Sequence, residues 1–273
     1  MPIQAGRFAP PAATIGRMNS LIDRSTLVAS LESELNAPSF KDYGPNGLQV
    51  EGKASIRKVV TGVTASLALI EAAVAAQADA VLVHHGLFWR GQDGRVVGWM
   101  KRRLQRLLAA DVNLIAYHLP LDAHPTMGNN AQLAQHLGLV PATAEPLRFG
   151  EQHLGWVAQT PQDSTLSDFA ARCAERLNRT PVVVGEGARP IRRVGLCTGG
   201  AQSYFEAAIA AGVDVFITGE ISEPQAHYAR ECGVAYLACG HHATERYGVQ
   251  ALGRWLSEQH GVAHEFIDID NPA

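Results

Sequence analysis

Cysteine is scarce in this sequence. The four present, Cys173, Cys197, Cys232 and Cys239, show no C-x-x-C spacing. They point to free, mostly buried thiols and a reducing, cytoplasmic setting. An excess of basic charge is also missing. The formal net charge is −3, which removes the field that nucleic acid or an anionic membrane would need. No apolar run is long enough to span a bilayer. Residues 1–17 lack both an acid and the hydrophobic core of a signal peptide. With Arg7, Arg17 and the pair Pro10-Pro11, they are expected to form a disordered extension. Familiar catalytic signatures are missing too: G-x-S-x-G, the Walker loop, H-E-x-x-H and H-x-H-x-D-H.

What remains is an ordinary globular composition over 273 residues, enough for two lobes. Ser25 to Asn36 has the spacing of an amphipathic helix, with Ser25 or Asp23 as its N-cap. Asp42 to Gly52 is rich in turn signals and reads as a tight turn or as a loop packed near a site. Lys58 to Thr64 predicts a strand, Leu67 to Gln77 a helix, and Val81-Leu82-Val83 a second strand that runs into His84-His85-Gly86. This β-α-β unit implies a parallel sheet, and ligands of such sheets sit beyond the carboxyl ends of the strands. Trp99 to Leu108 predicts a helix. Asp111 to His118 is another strand ending in histidine, and Asn129-Asn130 are expected to cap a helix over Ala131 to Leu137.

Residues 140–190 change character and read as a connecting segment, with a helix over Leu166 to Leu177 and a strand at Val182 to Val184. Beyond it a pattern recurs. Glu71 to His85 aligns without gaps on Glu206 to Glu220, sharing a Glu, an Asp (Asp79 and Asp214) and an apolar strand. The expected fold class is therefore α/β: two related lobes with mainly parallel strands and internal duplication. The lobes span 18–139 and 191–273, and the C-terminal part packs back on the first lobe.

The second lobe's last strong strand ends at Gly240-His241-His242-Ala243-Thr244-Glu245. A helix starting near Ala243 would bring an imidazole and a carboxylate together, although an acid in a first turn also suits the helix dipole. The candidate ligands are thus His84, His85, Asp122, His241 and Glu245, each just after an apolar strand. That mixed nitrogen and oxygen set suits two divalent transition ions, from zinc, manganese, iron, cobalt or nickel. His118 is a ligand, a partner of a ligand or a proton carrier. Glu220 matches His85 in the repeat and either orients a ligand or is structural. Gly195 to Gly200 reads as a phosphate cradle or a plain strand-to-helix turn. His124, His136, His153, His227, His260 and His264 are taken as ordinary histidines.

Five stretches carry a resemblance: DYGPNGLQVEG from Asp42, VHHGLFWRG from Val83, HLPLDAHPTMGNNA from His118, GEISE from Gly219 and GHHATERYG from Gly240. In these the chain resembles the NIF-three-like dinuclear-metal proteins, the GTP cyclohydrolase I type 2 homologues. The resemblance implies that His84 and His85 bind different ions, with Asp122 joining His85, His241 joining His84, and Glu245 bridging. It also implies a toroidal homohexamer whose metal sites face an internal cavity. The leading functional expectation is a metal-dependent hydrolase acting on a nucleotide-like small molecule such as GTP, with His118 carrying protons. The alternative is a metal storage, chaperone or regulatory protein without turnover.

Overall fold

The computed structural model describes residues 20–145 and 147–273. The expected extension over residues 1–17 lies outside them.

Strand β1 (Ile22–Asp23) leads into helix α1 (Arg24–Glu34). Asp23 is the N-cap, and its carboxylate accepts from the Ser25 and Thr26 amides that the first turn leaves open. The turn through Gly44-Pro45 delivers β2 (Gly47–Val50), and the short β3 (Ser55–Ile56) pairs back on β1. Two β-α-β units follow: β4 (Lys58–Thr64), α2 (Leu67–Ala75), β5 (Ala80–His85), α3 (Gly98–Ala109) and β6 (Asn113–Ala116). Among the described residues the first large sheet has the order β14-β4-β5-β6-β2, where β14 (Ala263–Phe266) is the last strand of the chain. All its pairs are parallel except that of β2 with β6.

Strand β5 reads as an unbroken apolar run because both its faces are covered. Ala80 and Leu82 lie in a core with Leu27 and Leu31 of α1, while Val81 and Val83 lie in another with Leu69, Ile70 and Ala73 of α2 and Leu107 of α3.

Helices α4 (Leu119–Ala123) and α5 (Asn129–His136) lead to β7 (Val140–Pro141), β8 (Arg148–Phe149), β9 (Gly155–Thr165), α6 (Leu166–Leu177) and β10 (Val182–Val184). Then come β11 (Pro190–Leu196), α7 (Phe205–Ala210), β12 (Val215–Thr218), α8 (Glu223–Cys232) and β13 (Ala235–Ala238). The second sheet has the order β10-β13-β12-β11-β9-β7, with β8 on β9. Two expectations are corrected here. Residues 140–190 do not stand apart as a connector. Strand β9 pairs along β11 from Thr165 to Trp156, and Phe169, Cys173 and Leu177 of α6 are buried with Val194 and Leu196, so the segment fills the second lobe's own core. Nor are the second lobe's strands mainly parallel. Only β11-β12 and β12-β13 are, because β7, β8, β9 and β10 all add antiparallel, giving a mixed sheet.

The two sheets share an arrangement. The parallel trio β4-β5-β6 has an antiparallel β2 beside β6, and the trio β11-β12-β13 has an antiparallel β10 beside β13. The aligned aspartates do the same work in each. Asp79 Oδ2 accepts from the amides of Arg57 and Lys58 at 2.9 and 3.1 Å, and Asp214 Oδ2 from those of Arg192 and Arg193 at 2.9 and 2.7 Å.

Helix α9 (His241–His260) joins the lobes. It starts at the end of β13, and its Val249, Leu252 and Leu256 are buried with Val59, Leu82 and Ile115 of the first sheet. At about 30 Å it is long enough to span a lobe. Among the described residues no helix is long and apolar enough to cross a membrane.

Candidate metal centre

The carboxyl ends of both sheets meet around one cluster. His84 and His85 end β5, His118 and Asp122 follow β6, Thr198 and Gly199 follow β11, Glu220 follows β12, and His241 and Glu245 open α9 after β13. The helix begins at His241 rather than near Ala243, with Gly240 as N-cap. His241 and Glu245 therefore stand one turn apart on the same face, Nε2 to Oε2 3.2 Å.

Each imidazole is fixed through one nitrogen. His84 Nδ1 lies 3.0 Å from the Tyr117 carbonyl oxygen, and His85 Nδ1 3.2 Å from Thr64 Oγ1. His241 Nδ1 lies 2.7 Å from Glu220 Oε1, and His118 Nδ1 2.7 Å from Asp42 Oδ1. The carbonyl and carboxylate partners accept only, so Nδ1 donates and Nε2 is the nitrogen turned toward the cluster. From His84, Nε2 faces Asp122 Oδ1 at 3.5 Å and Glu245 Oε1 at 3.4 Å; from His85 it faces Glu245 Oε2 at 3.3 Å. Glu245 is 2% exposed, yet its buried Oε2 lacks a partner in hydrogen-bond geometry. A buried carboxylate oxygen ringed by imidazole nitrogens suits a cation, whether a metal ion or the protons that stand in for it.

Among the described residues the donor atoms fall into three groups, within each of which they lie no more than 4.8 Å apart: His84, Asp122 and Glu245; His85, His241 and Glu245; His84, His85 and His118. These groups have the capacity to hold one or more metal ions. In the ion-free cluster Asp122 Oδ1 stands 3.5 Å from His84 Nε2, and His241 groups with His85 and Glu245, which differs from the pairing the resemblance implies.

Protons occupy this space when no cation does. Burial works to lower the His84 pKa, but the Asp122 and Glu245 carboxylates outweigh it and raise it to about 9. Burial also opposes the charge on His241, yet Glu245 and then Glu220 bring it to about 9. Burial takes His85 down to about 3, against the pull of Glu245. The Glu245 carboxyl is held well below its usual range by the surrounding imidazoles, despite burial. Burial, with the Glu245 charge adding to it, raises Asp122.

Several partners escaped the sequence reading. Asn129 and Asn130 are not helix caps, since Gly128 takes that position in α5. Both are fully buried and work on the site instead. Asn129 Nδ2 donates to Asp122 Oδ1 at 2.8 Å, and its Oδ1 accepts from the Gly248 amide in α9. Asn130 Nδ2 donates to the Asp122 carbonyl oxygen, and its Oδ1 accepts from the Thr198 amide. Thr198 Oγ1 donates to Asp122 Oδ1 at 3.2 Å. The segment Gly195 to Gly200 is thus a wall of the cluster rather than a phosphate cradle. Gly199, at φ +71°, has no room for a side chain, since a Cβ there would lie 2.0 Å from Glu245 Oε1. The turn at Asp42 does pack against the site, through His118. Glu220 orients His241. His242, the other member of the second histidine pair, turns away to Asp268 at 2.8 Å.

Fold and cluster together define an α/β protein of mixed sheets with a histidine and carboxylate cluster able to hold metal ions, built where strands of both sheets end. The chain belongs to the Duf34/NIF3 (NGG1p interacting factor 3) family, whose model matches residues 22–272. It is 53% identical over 253 residues to a GTP cyclohydrolase 1 type 2 homolog of Pseudomonas aeruginosa, covering 91% of this chain and 98% of the relative. With the corresponding homolog of Allochromatium vinosum it shares 50% identity over 257 residues, covering 94% of this chain and all of the relative. The solved structure of protein ybgI, of unknown function, superposes with a TM-score of 0.87 at 46% identity, covering 92% of this chain and all of that one. TTHA1606 from Thermus thermophilus superposes with a TM-score of 0.83 at 35% identity, over 92% of this chain and all of that one.

Proposed function

We propose that this protein is a dinuclear-metal hydrolase acting on a nucleotide-like small molecule. The observation that carries the reading is the buried, donor-poor meeting of imidazole nitrogens around Glu245. His84 with Asp122 would hold one ion, His85 with His241 the other, and Glu245 would contribute an oxygen to each. The mixed nitrogen and oxygen donors favour zinc, manganese, iron, cobalt or nickel. Bound there, a divalent pair supplies Lewis acidity and lowers the pKa of a water it holds.

The chain's own groups do the rest. Glu220 and the Tyr117 carbonyl oxygen keep His241 and His84 in the orientation a ligand needs. Asn129 and Thr198 hold Asp122 by the same oxygen that faces His84. Nε2 of His118 takes a proton from the attacking water and returns it to the leaving group. The names of the curated relatives support a nucleotide as the substrate class. We extend the proposal to a cytoplasmic homohexamer, and to lobes that are copies of one unit, which the matched roles of Asp79 and Asp214 support. Sedimentation of the full chain tests the assembly.

The decisive experiment is turnover of GTP and other nucleotides by metal-loaded protein beside His85→Ala and Glu245→Ala. Metal-dependent product that both variants lose is the expected result. Stoichiometric, transferable metal with no turnover refutes the enzyme and leaves the storage or chaperone role. Absence of bound transition metal after mild purification, with none taken up on addition, refutes the centre itself.

A further inference from the structure

We infer that Asp42, clamped by Asn46, is the positioning residue of His118: it fixes the imidazole with the proton on Nδ1 and presents Nε2 alone to the cluster. This rests on the reading of a metal centre given above.

The Asp42 side chain is 3% exposed, and both its oxygens are engaged. Oδ1 takes the His118 Nδ1 proton at 2.7 Å and also accepts the Tyr43 amide at 2.6 Å. Oδ2 accepts the Leu119 amide and the Asn46 side-chain amide, each at 2.9 Å. Asn46 then closes the ring, its Oδ1 accepting the His118 amide at 2.8 Å. One short loop therefore holds the backbone on both sides of the imidazole as well as the ring itself. A buried carboxylate is costly unless its lone pairs are filled, and here they are filled by groups that belong to or flank His118.

The loop is braced from behind. Arg90 donates its amide to the Tyr43 carbonyl oxygen at 2.6 Å and its guanidinium to that of Asp42 at 2.8 Å. At Gly44 a Cβ would come within 2.4 Å of the Phe88 carbonyl oxygen, so the loop presses against the segment after His85. Trp89 from that segment stands edge-on to His118, ring centres 5.0 Å apart at 90°, and resists rotation of the imidazole.

His118 also differs from the other three imidazoles. Nε2 of each of those faces a Glu245 oxygen at 3.2–3.4 Å, whereas the carboxylate paired with His118 is Asp42, on Nδ1. The Nε2 lone pairs of His84 and His85 can each serve one ion, and each already belongs to a group that includes Glu245. His118 is left to complete no third site of its own. Its side chain is 19% exposed, between the 16% of His85 and the 28% of His241 and unlike the fully buried His84, so the ring reaches both the cluster and solvent. Fixed in this way, it can accept and release a proton at a single nitrogen without turning.

The test uses full-length protein with nitrogen-15 histidine, loaded with zinc. Two-bond nitrogen–proton correlation should show His118 in wild type as the single Nδ1–H form. Asp42→Ala should lose that preference, and the near-isosteric Asp42→Leu, which keeps the volume if the alanine variant unfolds but offers no acceptor, should lose it too. Zinc content should hold in both and in His118→Ala. An unchanged His118 tautomer in a folded Asp42 variant would overturn the proposal. So would loss of zinc from His118→Ala matching that from His85→Ala, which would make His118 a ligand. A wild type that binds no zinc removes the metal centre, and this proposal with it; the zinc assay reads that failure separately from the tautomer spectrum.

Discussion

Metal binding to this protein should be coupled to proton release, and the count follows from the cluster. In the ion-free protein His84 and His241 each titrate at about 9, so at pH 7 both carry a proton that a cation must displace. His85, at about 3, is already neutral, and the Glu245 carboxyl is already ionised. Filling the centre should therefore release at least these two protons at pH 7. Each proton contributes about 1.4 kcal/mol per pH unit. Raising the pH from 6 to 8 should thus strengthen overall zinc binding by about 5.5 kcal/mol, or about ten-thousand-fold, with the gain levelling off above pH 9. The assay is titration calorimetry with zinc in buffers of different ionisation enthalpy, repeated across that pH range with competing chelator. Affinity flat with pH, or heats independent of the buffer, would refute the claim that protons hold the place of the ion.

Three further outcomes follow from single contacts. Glu220→Gln, which weakens the hold on His241 Nδ1, should lower zinc affinity about 10–100-fold while leaving the denaturation midpoint of ion-free protein unchanged. Phe169→Ala, at a fully buried ring in the second lobe, should cost about 3–5 kcal/mol in urea unfolding. Asp79→Asn should cost about 1 kcal/mol at pH 7. Burial opposes the Asp79 charge, but Lys53 and the Arg57 and Lys58 amides hold its carboxyl below the usual range. A depressed carboxyl stabilises the fold above its unfolded pKa and ceases to do so as pH falls through the folded value. The gap between Asp79→Asn and wild type should therefore close as pH drops below about 4.

Local signals in the chain were strong where one element makes its own case. The strand Lys58 to Thr64 and the helix Leu166 to Leu177 have the bounds their patterns predict, since period and caps are written within each segment. The five residues around the cluster were legible because each lies at or just after the end of an apolar strand. Which of them stand together was not: that Asp122 reaches His84, while His241 groups with His85, follows from tertiary packing that no spacing encodes. Asn129 and Asn130 look like caps to any local reading, and the contact from Asn129 to Gly248 joins positions 119 residues apart. The antiparallel β9 was hidden for a similar reason. Its partner β11 lies beyond a whole helix and strand, so its pairing had no local signature.

Helix α9 has a kinetic consequence. Its first turn carries His241 and Glu245, and its middle is packed into the other lobe through Val249, Leu252 and Leu256. The cluster therefore exists only after two distant halves of the chain have closed on each other. Closures of that sequence separation come late in folding. An ion captured there would find its ligands only at the end of folding, and would then slow the reverse step, since the lobes cannot part without releasing it. An ion held at this cluster would in this sense be a latch, and the rate at which it leaves the native protein should set an upper limit on the rate at which the two halves come apart.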